Sequence, residues 1–346
     1  MIIALDAMGS DAGPTPLVEG AVMAARRFDC KILLVGRRHS LGRLLRHFHY
    51  TGNNIEIVSC SQVVSMDANP RASLRMTDSS IAVATRLVAE GKADALVSAG
   101  ATGATKAHAL IGLRRLEGIR REAIATVMPT SKRPCLILDV GANVDCKPRH
   151  LLEFAVMGTI YSRAILGRKN PRVGLLSVGE EPSKGNALTL AAYKLLKKSH
   201  LNFIGNVEGK HLFKGKVDVL VCDGFVGNVV LKVCESVAKM IIAGVKGAMK
   251  KNVLTMAGAL TLLPGMRKFH KKLDYSEYGG APLLGLNGVC IIGHGASSAK
   301  AVMNAIRVAM ESVNHNLNYH IGEALKEIPT ELESDAIAEQ LVGATE

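Results

Sequence analysis

The chain has 346 residues, 48% of them hydrophobic, enough for a sizeable core in one large α/β domain or two smaller ones. Its formal charge of +13 suits an anionic substrate, an acidic protein or an anionic lipid surface, but aromatics at 4% and the absence of Trp argue against a nucleic-acid partner, whose single strands are read on exposed rings. The 7 cysteines include no C-x-x-C pair, and Cys135, Cys222 and Cys290 sit in apolar runs, which reads as buried thiols in a reducing compartment rather than a disulfide framework or a catalytic thiol.

In chain order, continuous Val/Ile/Leu runs predict strands at 2–5, 31–35, 55–58, 95–97, 135–140, 173–176, 217–222 and 289–292. Amphipathic segments between them predict helices, among them 78–90, 148–165 and 188–197. Apolar runs without polar alternation are the mark of parallel strands covered on both faces. The pattern therefore predicts a three-layer, doubly wound, mostly parallel α/β fold. The chain starts directly on a strand, so no signal peptide is expected. No run approaches the about 20 apolar residues of a membrane span, and a cytoplasmic location is expected.

The segment 236–278 breaks the alternation. It is long and apolar, interrupted by Pro264, with Lys246, Lys250 and Lys251 on one side and Arg267, Lys268, Lys271 and Lys272 on the other. Two helices joined by an apolar turn are expected, projecting from the sheet. Leu254, Leu260, Leu262 and Leu263 would touch a membrane surface at the tip; burial in a dimer interface is the other reading. The acidic tail from Glu327 is helix-prone and peripheral. With no repeat or linker visible, 1–346 reads as a single α/β domain with one excursion.

Six strand ends turn at once into glycine with polar partners: LDAMGSD (5–11), VSAGATGAT (97–105), DVGANVD (139–145), LSVGEEPSKGN (176–186), CDGFVGN (222–228) and IIGHGASS (291–298). In a parallel sheet such loops face one crevice, where helix N-termini direct N–H groups at an anion. Tight turns alone would need fewer of them. GATGATK at 100–106 has the flavour of a phosphate loop without the P-loop spacing. No G-x-G-x-x-G, H-E-x-x-H or G-x-S-x-G is present, so nicotinamide, zinc and serine-hydrolase sites are not expected.

Three longer blocks, DVGANVDCKPRHLLEFAVMG (139–158), GNVEGKHLFKGKVDVLVCDGFVGNVVLK (205–232) and YGGAPLLGLNGVCIIGHGASSAKA (278–301), closely resemble the bacterial phosphate acyltransferase family of phospholipid synthesis. The opening ALDAMGSD and the loop at 173–186 are similar too, so the likeness spans nearly the whole chain. The resemblance implies a homodimer with a fold like that of isopropylmalate dehydrogenases and phosphotransacetylases. It implies transfer of a fatty acyl group from acyl carrier protein to inorganic phosphate, feeding a membrane glycerol-phosphate acyltransferase. This chain departs from the pattern at Ala101, where the family carries an amide, and at Ser10, with no His after Asp11.

That chemistry needs a cradle for a dianion, donors for a developing oxyanion, and positioning; the thiolate already leaves well. Lys184 is the first candidate for phosphate, a solvated loop lysine being the alternative. Asn228 is the candidate oxyanion donor, or a helix cap. His294 could protonate the thiolate, bind phosphate or hold its own turn. Asp6, Asn143, Asp145, Asn186 and Asp223 are candidate substrate-binding or orienting groups. Thr102, Thr105 and Ser297 could donate to phosphate or cap helices. No metal or other cofactor is expected. Rival readings are a phosphotransacetylase acting on acyl-CoA, a decarboxylating dehydrogenase of similar fold, and a regulatory protein that binds phosphate or acyl chains without turnover.

Overall fold

The structure, a computed structural model, describes residues 1–249, 265–266 and 279–328. Eleven strands form one sheet: β1 (Ile2–Asp6), β2 (Lys31–Gly36), β3 (Ile55–Ser59), β4 (Ala95–Ser98), β5 (Ala123–Met128), β6 (Cys135–Leu138), β7 (Val173–Leu176), β8 (Phe203–Val207), β9 (Val219–Val221), β10 (Ala281–Leu284) and β11 (Val289–Ile292). The helices are α1 (Thr15–Arg27), α2 (Arg38–His47), α3 (Pro70–Ser73), α4 (Ser80–Ala89), α5 (Thr102–Leu113), α6 (Pro148–Ala164), α7 (Ala187–Lys198), α8 (Gly224–Met249), α9 (Ala299–Asn314) and α10 (Leu317–Lys326).

The strand order is β3-β2-β1-β4-β11-β10-β5-β6-β9-β7-β8. All neighbours pair in parallel except β11–β10, β10–β5 and β5–β6, which are antiparallel. Successive side chains of each strand alternate between faces. Ile3 and Leu5 enter the cluster under α1 and α9, whereas Ala4 packs beneath α4 and α5. In the other half, Leu136 and Leu138 enter the cluster with α6, α7 and α10, while Cys135 and Ile137 face the α8 side. The three-layer, mostly parallel architecture is therefore as the sequence predicts.

The three central reversals correct one expectation. They leave β6, β9, β7 and β8 running opposite to β1, β2, β3, β4 and β11. The loops after β1, β4 and β11 thus lie at one edge of the sheet, and those after β6, β7 and β9 at the other. The six glycine loops do not share one edge.

Three strands escape the sequence pattern for local reasons. β10 contains Pro282, which cannot donate a ladder hydrogen bond. β8 is an edge strand with Gly205 at φ +99° beside a register shift in β7. β5 reads AIATVM, without a continuous branched run. The excursion expected at 236–278 begins inside a longer helix. Helix α8 begins at Gly224 and passes through 236 unbroken to Met249. The tip residues Leu254, Leu260, Leu262 and Leu263 lie outside the described residues.

Candidate active site

A cavity of ≈ 1230 Å³ lies between α5 and α8, above the central strands. Its floor includes Val97, Ile124, Thr126, Met128 and Ile292, and its apolar wall includes Leu231, Val237, Ile241 and Ile242 of α8. Polar groups enter it as Thr102 and Lys106 of α5, Asn228 of α8, and His294 and Ser297 of the loop after β11. A large apolar hollow with a few convergent polar groups is the ordinary form of a ligand site. Loops from both sheet edges meet here, because α5 starts at one edge and its Lys106 ammonium donates to the Ala142 carbonyl in the loop after β6.

That loop is held by Asp139, which is fully buried. Its Oδ1 accepts N–H groups of Ile124 (3.1 Å), Gly141 (3.1 Å) and Ala142 (2.8 Å), and its Oδ2 accepts Asn143 N (2.7 Å) and Nδ2 (2.9 Å). Burial pushes its carboxyl above the usual range, against these hydrogen bonds. Asn143 also donates to the Glu122 carbonyl at 2.6 Å. Both Asn143 amide donors thus hold the loop.

At the other edge, Asp6 accepts Ser98 Oγ at 2.8 Å and the N–H groups of Met8 and Gly9. Thr105 Oγ1 is 3.2 Å from the same Ser98 hydroxyl, which also accepts Gly100 N–H. Asp6 and Thr105 are buried beneath the loop that leads into α5. They set that loop and do not line the cavity. Thr102, the first residue of α5, is exposed on the wall, and its N-cap Ala101 offers no side-chain acceptor.

Asn228 is exposed on the wall one turn into α8. It is not the cap: Asp223 Oδ1 accepts Val226 N–H at 2.9 Å and caps the helix instead. Asp223 is thereby engaged structurally, and the Asn228 amide is left for other work. Gly141 faces Asn228, a Cβ there standing in ordinary contact at 3.7 Å from Asn228 Oδ1, and its φ of +137° is what asks for glycine. His294 Nδ1 accepts Ala296 N–H at 3.1 Å, so its neutral ring carries the proton on Nε2, the donor form. Ser297 is buried and donates its N–H to the His294 carbonyl.

Lys184, Asp145 and Asn186 are exposed and outside the cavity wall. The Lys184 carbonyl accepts Ser177 Oγ and Asn206 Nδ2. Asn186 caps α7 through Thr189 N–H at 2.9 Å. Sequence reasoning missed Lys106, Glu122 and Asp139. Lys106 closes the GATGATK segment and was legible there as a cation beside a glycine turn. Glu122 carries no local signal, since Lys106 and Arg115 reach it from an earlier segment; Asp139 opens the DVGANVD turn, and the signal there is the run of nearby N–H groups that its carboxylate collects. Among the described residues, no group of three or more His, Cys, Asp or Glu is placed to hold a metal.

The fold defines an α/β protein with a mixed apolar and polar cavity, and solved structures share it. A phosphotransacetylase from Streptococcus pyogenes aligns with TM-score 0.63 at 17% identity, covering 91% of this chain and 94% of that one. The EutD phosphotransacetylase from Staphylococcus aureus aligns with TM-score 0.60 at 18% identity, covering 90% and 94%. A family model described as "Fatty acid synthesis protein" matches residues 1–320. The chain is 52% identical over 318 residues to the phosphate acyltransferase of Heliobacterium modesticaldum, covering 91% of this chain and 95% of that protein. It is 51% identical over 329 residues to that of Pelotomaculum thermopropionicum, covering 95% and 96%. The chain belongs to this phosphate acyltransferase family and is an acyltransferase.

Proposed function

We propose that this chain transfers a fatty acyl group from acyl carrier protein to inorganic phosphate, giving an acyl phosphate for phospholipid synthesis. The observation that carries the reading is the apolar cavity between α5 and α8, with Lys106, Thr102, Asn228 and His294 on its wall. The apolar part suits a long acyl chain. The Lys106 ammonium, the Thr102 hydroxyl and the first N–H groups of α5 suit a phosphate dianion. A phosphate oxygen attacks the thioester carbonyl, and the carbonyl oxygen gains charge toward the Asn228 amide. Collapse expels the thiolate, toward which the His294 Nε2–H directs a hydrogen bond. Lys184, Asp145 and Asn186 stand outside the wall and are outer contacts for entering substrates.

The exposed Val226, Val229 and Met240 on α8, outside the cavity lining, support pairing with a second copy of the chain. No described helix is long and apolar enough to cross a membrane. Contact of 254–263 with a membrane surface, and delivery of product to a membrane glycerol-phosphate acyltransferase, rest on the sequence. The test is acyl-phosphate formation from palmitoyl-acyl carrier protein and phosphate by the purified chain, with palmitoyl-CoA and the Lys184→Ala variant in parallel. Turnover of the carrier thioester supports the reading. Turnover of the CoA thioester alone transfers the enzyme to the CoA-dependent class.

A further inference from the structure

The sequence offers two arginine clusters to an acidic partner, and the structure separates them. Arg26 and Arg27 end α1 on the face covered by α9, and Arg26 Nη2 donates to the Phe48 and His49 carbonyls. Of α1, only Leu17 reaches the cavity wall.

The other cluster surrounds the start of α6. The 114–122 segment is fastened there by Arg120 N–H, which donates to Glu153 Oε2 at 2.9 Å. Lys147 immediately precedes α6, and Arg120, Arg121 and Lys147 are all exposed. The buried His150 ring lies among these charges, its Nδ1 accepting the Lys147 N–H at 3.1 Å. Its pKa is pushed down to about 4, first by burial and then by Arg121, Lys147, Arg120 and Arg115.

The acidic groups nearby leave this field positive. Glu122 and Glu153 are buried and bound to Arg115, Lys106 and Arg149. Glu117 acts on Lys326 of α10, and Asp145 is the remaining exposed carboxylate of the loop. The patch also adjoins the cavity. Val144, three residues before Lys147, lines it and is 62% exposed. Three residues span at most about 11 Å of chain.

We infer that Arg120, Arg121 and Lys147, with Val144 beside them, form the docking surface for an acidic carrier protein. Its acyl thioester enters the cavity beside Val144. The inference rests on the carrier-thioester reading proposed above. Charge complementarity of this kind sets encounter rate and register and weakens with salt.

The experiment compares the full chain with Arg121→Glu/Lys147→Glu, with the milder Arg121→Gln, and with Arg26→Glu/Arg27→Glu. Melting curves establish that each is folded. The readouts are KM for palmitoyl-acyl carrier protein across a salt series, KM for palmitoyl-CoA, and binding to phosphatidylglycerol vesicles. The double reversal at Arg121 and Lys147 is expected to raise KM for the carrier thioester about tenfold or more at low salt. It should flatten the salt dependence and leave kinetics with the CoA thioester unchanged. Arg121→Gln should show a smaller rise, and the Arg26/Arg27 reversal none. Carrier turnover with unchanged KM in the double variant overturns the docking surface alone, as does loss of vesicle binding without a change in KM. Absence of carrier turnover by the unmodified chain overturns the donor reading, and the docking surface with it.

Discussion

The Lys106 ammonium stands 3.2 Å from Glu122 Oε1, and the other oxygen of the same carboxylate is held by Arg115 Nε at 2.7 Å. Glu122 is buried, so one carboxylate balances two cations and leaves a net positive charge at the cavity wall. A lysine placed this way is fixed rather than free to wander, and a fixed cation binds an anion with less ordering cost. Lys106→Met keeps the aliphatic stem and removes the charge. The expected result is KM for phosphate raised about tenfold or more, as for loss of a charged hydrogen bond of about 1.5–3 kcal/mol. KM for the acyl donor should stay within about twofold.

Glu122 supplies a pH signature. Burial alone would raise its pKa, but the Arg115 hydrogen bond, its backbone hydrogen bond and the Lys106 and Arg115 charges together hold it below the ordinary carboxylate value. A group depressed in the folded state stabilises the protein fully above its unfolded pKa, about 4.3 for Glu. The contribution is lost as pH falls through the lower folded value. Urea midpoints should therefore drop on acidification below about pH 5, and Glu122→Gln should show a shallower drop. Equal slopes in the two proteins would assign the acid sensitivity to other carboxylates.

The layers were legible because strands covered on both faces read as unbroken apolar runs, as β1, β2, β7 and β11 do. The direction of the second half was not. It depends on β5 and β10, and Pro282 hides one while the alanines of β5 hide the other. In the site, Asn228, Thr102, His294 and Ser297 were legible from glycine turns and do reach the cavity. Asp6, Thr105 and Asn143 stand in the same kind of turn, yet their hydrogen bonds go to the loops themselves. A sequence shows that a polar residue follows a strand, but not whether its side chain turns outward or back.

Cys146 lies in the loop after β6, where a thiol invites a covalent mechanism. Burial first, then Asp139, pushes its pKa up to about 12, and its Sγ lies 3.7 Å from the Asn143 carbonyl. The thiolate, the reactive form, is therefore scarce near neutral pH. Cys146→Ala should keep kcat within about threefold and form no acyl-enzyme detectable by mass spectrometry.

Gly227 is the point of tightest approach between α8 and the Asp139 loop. A Cβ there would meet the Asp139 carbonyl oxygen and crowd the Cys222 sulfur. Gly227→Ala should cost about 1–3 kcal/mol through overpacking and displace Asn228 from Gly141. Both a lower urea midpoint and a reduced kcat are expected. Gly244→Ala, with nothing within 4 Å of its Cβ position, is the matched control on the same helix.

Asn228 allows donor and shape to be separated. Asn228→Asp preserves the outline of the side chain but replaces two N–H donors with an acceptor that repels a developing oxyanion. Asn228→Ala removes both shape and donor. If the amide serves the transition state, each variant should lose about 10²–10³ in kcat with little change in KM for phosphate or acyl donor, and Asp should fare no better than Ala. A ground-state role would instead raise KM and spare kcat. An Asp variant with activity near that of the unmodified chain would show that position 228 only fills space, and would leave the His294 and Ser297 loop as the source of the oxyanion donor.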